Sequence, residues 1–268
     1  MANILPELII GPLLVGAATL AARRWGTAIG GLLSAFPAVV GPVLLITAQE
    51  RGDLFAARAA SGTLLGLGAL SAFVLIYARV AVRARWGWSL AAGWSAAALI
   101  ALALGWLDPA GRLAAGLLVA TGSLLIAYVA MPRGAGPAPP AVQPAGETRP
   151  EDDLRLRMIL TAVLVASLAS AAMLVGPLVG GILAGLPVLA SVLAVFTHRR
   201  GGHGAVVGLL RGMVVGMSGF VAFCAVVAAS IVALGAGPAF AAAIATAVAL
   251  QLLLLERAPR RAVSLTRP

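Results

Sequence analysis

Two prolines, Pro37 and Pro187, sit inside long apolar runs, where proline has the largest chemical consequence. A proline in a helix interior removes one backbone hydrogen bond and bends the helix, leaving a carbonyl without its usual donor. Interrupted helices at mid-membrane depth are where many transporters bind solutes and ions. The other reading is a packing kink whose freed carbonyl is met by a neighbouring helix, and both readings stay open. Around the prolines lie Ser34, Thr47, Ser61, Thr63, Ser71 and Thr197. A cavity lined by such hydroxyls is weakly polar and suits a small uncharged or amphipathic solute. Arg58 and Arg211 enter apolar runs by one to two turns, shallow enough to reach the surface along their own side chains. Glu7 does the same near the start of the chain.

Other residue types with catalytic or ligating potential lack partners. His198 and His203 have no carboxylate or cysteine at metal-ligand spacing and are expected as interfacial polar residues. Cys224 is the chain's single cysteine, buried in an apolar run and expected as a packing residue. Gly216-Met217-Ser218-Gly219 resembles the Gly-x-Ser-Gly of rhomboid intramembrane proteases. A serine nucleophile needs a base within hydrogen-bond reach, and no histidine follows Ser218. No phosphate-binding loop or zinc motif is present either. The expectation is therefore a protein that is not an enzyme, with no cofactor and no metal.

The elements that must hold these residues follow from composition. Hydrophobic residues make up 61% of the chain and charged residues 10%, with a mean hydropathy of +1.04. A soluble domain needs roughly 25% charged residues to cover its surface. The apolar runs are continuous and long enough to cross an ~30 Å hydrocarbon core, without the alternation of barrel strands. The fold class is all-α, a polytopic transmembrane helical bundle. Nine spans are predicted: Ile4 to Ala22, Gly26 to Ala48, Leu54 to Ala78, Trp86 to Leu107, Leu113 to Met131, Met158 to Val175, Gly176 to Thr197, Ala205 to Leu234 and Pro238 to Leu255. Between the fifth and sixth, a stretch rich in proline, glycine and acidic residues has little to bury and reads as a solvated linker. The implied organisation is a first membrane repeat with an extra fifth helix over 1–131, a linker over 132–153, a second repeat over 154–256 and a basic tail over 257–268.

The net charge is +10 and every basic residue is arginine. These arginines lie between apolar runs, which argues for a role in orienting helices and against nucleic acid as a partner. With the N-terminus outside, the inside segments hold Arg23 and Arg24, then Arg79, Arg83 and Arg85, then the linker arginines, then Arg199 and Arg200, then the tail. The outside loops hold only Arg51 and Arg112. The expectation is a multi-pass protein of the cell's inner (plasma) membrane, N-terminus outside and C-terminus cytoplasmic, with the lipid bilayer as its first partner.

The chain also repeats itself at one constant offset. Gly26 pairs with Gly176, Gly30-Gly31 with Gly180-Gly181, Pro37 with Pro187, Thr47 with Thr197, Gly52 with Gly202, Gly62 with Gly212 and Gly66 with Gly216. Five spans precede the second copy, so the two copies would insert in opposite directions, and the arginines accordingly occupy different loops of the two units. Four pairs, Gly26 with Gly30, Gly62 with Gly66, Gly176 with Gly180 and Gly212 with Gly216, place small residues on one helix face for close packing, within the chain or against other membrane helices.

The segment Gly30-Gly31-Leu32-Leu33-Ser34-Ala35-Phe36-Pro37, followed by an apolar run to Gln49-Glu50-Arg51-Gly52, resembles the GlpM-like group of small bacterial inner-membrane proteins. The likeness covers mainly Gly26 to Phe73 and more weakly Gly176 to Phe223, where Leu186 precedes the proline and His198-Arg199-Arg200 fills the turn. It implies a tandem fusion of such a unit. The arrangement is also similar to that of drug/metabolite transporters, whose helical units pair antiparallel. The functional expectation is a transporter-like permease for a small-molecule solute. The alternative is a non-transporting membrane scaffold or accessory subunit, whose glycine faces hold other helices.

Overall fold

A computed structural model describes residues 26–35, 40–107, 113–132 and 186–257, with residues 19, 20, 22, 24, 159 and 163 as isolated positions. Pro37, Glu7, Gly176, Gly180, most of the first predicted span, all but residues 159 and 163 of the sixth, nearly all of the linker and the end of the tail lie outside the described residues. The described structure is all-α, with seven helices: α1 (Thr27–Ser34), α2 (Val40–Arg51), α3 (Asp53–Ala81), α4 (Trp86–Leu107), α5 (Leu113–Ala130), α6 (Val188–Leu234) and α7 (Ala236–Arg257). Five of them, α3 to α7, are long and apolar enough to cross a membrane.

Four glycines set the junctions. Gly26, Gly52, Gly202 and Gly235 have φ of 97°, 87°, 68° and 77° with ψ near 180°, a region essentially closed to residues with a Cβ. At Gly52 the amide donates back to the Ala48 carbonyl at 2.9 Å, while the Gly52 carbonyl accepts from Ala56 at 3.2 Å. One residue thus ends α2 and begins α3. Gly235 does the same between α6 and α7, donating to Ile231 and accepting from Ala239. Gly202 breaks α6 into a short arm, residues 188–201, and a long arm, residues 203–234. This differs from the polar turns expected after Ala48 and Thr197. The helices run on through the charged residues to Arg51 and to residue 201, because helical hydrogen bonding persists up to the glycine. Substituting alanine at Gly52 or Gly202 is expected to destabilise the fold by about 1–3 kcal/mol each. Gly122→Ala, within α5 and facing open space, should be neutral or stabilising. Thermal melts reported by exposure of Cys224 to a thiol dye would measure all three, since Cys224 is the sole thiol and fully buried.

Helix α3 is the centre of the bundle: 67% of its most apolar window is buried, against 17% for α4 and α5. Its inward residues include Leu64, Leu67, Phe73, Val74 and Tyr77. The outer helices keep Leu99, Leu102, Leu118, Val129 and Leu252 exposed, as a lipid-facing surface requires.

Side-chain contacts fix which helix ends lie together. Tyr77, near the end of α3, has its hydroxyl 3.4 Å from Nδ1 of His198 in the short arm. Arg79 donates to the Ala130 carbonyl at the end of α5, at 3.1 Å. The Arg199 guanidinium lies 5.5 Å from the centre of the Trp86 ring at the start of α4. One end of the bundle therefore gathers Arg79, Arg83, Arg85 and Arg199 around the Gly202 turn. The Gly52 turn is at the other end of α3, which at 29 residues is ~43 Å long.

Candidate functional site

Helix α1 stops at Ser34, in the middle of the apolar run predicted as one span, Gly26 to Ala48. The last carbonyls of a helix have no partner within it, and inside a membrane each must find one. Two side chains supply donors. The Ser34 hydroxyl donates to the Gly31 carbonyl at 2.7 Å. From α7, the Gln251 amide nitrogen donates to the Leu32 carbonyl at 3.4 Å and to the Gly216 carbonyl of the α6 long arm at 3.2 Å. Gln251 is only 5% exposed, and its Oε1 is buried with no hydrogen-bond partner among the described residues. Turning the amide over would set its oxygen against two carbonyl oxygens, so the network fixes the orientation. The result is a buried acceptor at a broken helix end, where an unmet polar group is costly.

The helix carrying this end is held by direct backbone approach. A Cβ on Gly31 would overlap the Leu209 carbonyl, one on Gly212 the Ala28 carbonyl, and one on Gly216 the Leu32 carbonyl. Thr27, Ala28, Gly31 and Leu32 of α1, with Ala35 just after it, face Gly208, Gly212 and Gly216 of the long arm. Of the two glycines expected on the α1 packing face, Gly30 is buried and Gly26 lies at the helix start. Gly31 makes the close approach while Gly30 is buried beside it, and Gly26 is a hinge with nothing within 4 Å of a Cβ. Gly62 and Gly66 are buried within α3.

Pro187 caps the described part of the seventh predicted span, with Val188 the first helical residue. Its carbonyl accepts from the Ser191 amide at 2.8 Å and from the Ser191 hydroxyl, which in turn accepts from the Trp94 indole at 2.9 Å. Phe73 links Trp94 to Tyr77 through ring contacts, with centroids 6.4 and 5.6 Å apart.

The remaining sequence candidates are dispersed. Thr47, Ser61, Thr63 and Ser71 donate to carbonyls four residues back in their own helices. Such bonds give each hydroxyl a partner within its own helix, and the Ser71 oxygen also accepts from the Ser123 hydroxyl at 3.3 Å. Arg58 is exposed in the first turns of α3, Arg211 is half-buried in the long arm, and Thr197 is half-buried in the short arm. Among the described residues no hydrogen bond joins any of these to Gln251. Gln251 itself escaped the sequence reading, although its signal was present: an amide side chain in the middle of the apolar run Ala249-Leu250-Gln251-Leu252-Leu253.

No family model matches the chain, and neither the curated proteins nor the solved structures give a match.

Proposed function

We propose that the chain is a transporter-like permease of the inner membrane, built from two oppositely inserted copies of one helical unit that resembles the GlpM-like group. The observation that carries the transport reading is the Gln251 oxygen beside the end of α1, buried and without a hydrogen-bond partner among the described residues. It offers a hydrogen-bond acceptor to a small uncharged or amphipathic solute carrying a donor. The hydroxyls tied back to their own helices favour such a solute over a strongly charged ion.

Three features support the duplication. Gly52 and Gly202, paired in the repeat, share one unusual backbone conformation. Trp86–Leu107 and Ala236–Arg257 are both 22 residues long and begin at the same offset. The Gly202 turn lies beside Ala81–Trp86, at the opposite end of α3 from Gly52, as inverted units require. The arginine-rich end is then cytoplasmic.

The scaffold reading needs glycine faces open to other chains, whereas Gly208, Gly212 and Gly216 are used by α1 of the same chain. Two experiments test the proposal. With Cys224 replaced by serine, single cysteines at Gln49 and Arg199 should react with an impermeant maleimide from opposite sides of the membrane, and labelling of both from one side refutes the inversion. Vesicles with and without the protein should differ in accumulation of at least one member of a broad solute panel. No difference across the panel would remove transport in favour of the scaffold.

A further inference from the structure

The arginine-rich end of the bundle holds a concavity of about 590 Å³, formed where the α3–α4 junction meets the Gly202 turn. Its lining includes Arg83, Arg85 and Trp86 from the first segment and His198, Arg199 and His203 from the second, with no acidic residue among the described residues. The charge rule places both segments on one side of the membrane, and the packing of α3, α4 and α6 brings them into one cleft. The walls are braced. Tyr77 holds His198, and Arg199 lies over the Trp86 ring, which also supports its guanidinium by cation–π attraction. Arg83, Arg85, Arg199 and His203 are exposed to whatever enters. The like charges of the three guanidiniums repel, and a bound anion relieves that repulsion.

We propose that this cleft binds a phosphate group. Three guanidiniums can each place two donors, and the imidazoles add more, a donor set matched to the several oxygens of a phosphate. A monovalent carboxylate has too few oxygens and too little charge to engage all three arginines. Two sources carry this chemistry: the headgroup of an anionic phospholipid and a soluble phosphate. The cleft is open, and Trp86 with the 73%-exposed Trp88 marks the depth at which lipid headgroups lie. The volume leaves room for the glycerol or other substituent that the phosphate bears. This site is separate from Gln251 and does not depend on the transport reading.

The test compares the wild-type protein in detergent with the R83Q/R85Q/R199Q variant, following melting by a thiol dye on Cys224. Phosphatidylglycerol is added in one arm, with diacylglycerol of the same chains as its phosphate-free control. Inorganic phosphate is added in the other, against chloride at equal ionic strength. A bound ligand raises the melting temperature by mass action. A rise of a few degrees with phosphatidylglycerol alone assigns the site to a lipid headgroup, and a rise with inorganic phosphate assigns it to a soluble anion. In each case the triple variant must lose the rise, while Arg24→Gln, which removes an exposed charge outside the cleft, must keep it. Arg199→Gln alone serves if the triple variant melts abnormally without ligand, and should weaken binding at least threefold. No rise in either arm overturns the site. So does an equal rise with diacylglycerol, in the cleft variants, or a loss of the rise in Arg24→Gln as large as in those variants.

Discussion

Gly212→Leu will leave a chain that still enters the membrane but no longer seats α1 against the long arm of α6. Even the first carbon of a side chain at this position collides with the Ala28 carbonyl, which is backbone and cannot rotate away. The helices must separate, and Gly31 and Gly216 then lose their contacts together, because the three glycines serve one interface. In lipid, helix association rests on such close packing rather than on removing apolar surface from water, so little remains to offset the loss. The expected destabilisation is at the upper end of the overpacking range, about 3 kcal/mol, or roughly 10 °C in melting temperature. Cys224 is on the same arm and should become reactive at correspondingly lower temperature. The matched control is Gly105→Leu in α4, where a side chain meets open space and a change within about 0.5 kcal/mol is expected. Equal melting of Gly212→Leu and wild type would show that α1 is not docked in this way.

Gln251→Leu should abolish solute accumulation while leaving the fold nearly intact. Leucine keeps much of the side chain's volume, removes the buried unpartnered oxygen and withdraws the donor from the Leu32 and Gly216 carbonyls. Losing the donor costs about 1–3 kcal/mol if a carbonyl is left bare, and losing the orphan acceptor offsets part of that. A net change near 1 kcal/mol is expected. If the oxygen meets the solute, accumulation of whichever solute the wild type takes up falls at least tenfold, since a site built around a hydrogen bond strongly rejects its absence. Melting and uptake measured on the same preparation separate the two effects. Unchanged uptake in a stable Gln251→Leu protein would reduce Gln251 to a structural strut for the end of α1.

The sequence made the outer helices easy to find because their ends are marked by charge or by proline and glycine. The Trp86 to Leu107 span is the clearest instance, bounded by Arg85 and Asp108. Junctions without polar loops were harder. Composition does not distinguish a hinge glycine such as Gly235 from a packing glycine such as Gly216, since both lie among apolar and small residues and only Gly235 has a positive φ. The stop after Ser34 was equally hidden, because the Leu32 carbonyl near it accepts from a residue more than two hundred positions later in the chain. The serines and threonines were visible, but whether a hydroxyl faces a cavity or its own helix is decided by rotamer and neighbour. For Thr47, Ser61, Thr63 and Ser71 the nearest acceptor four residues back decides it.

A connection made from one glycine also constrains how the protein is born. Between α6 and α7, Gly235 leaves no slack in which one segment could sit in the bilayer while the next waits in water. The two must leave the ribosome, meet the insertion machinery and partition as one hairpin.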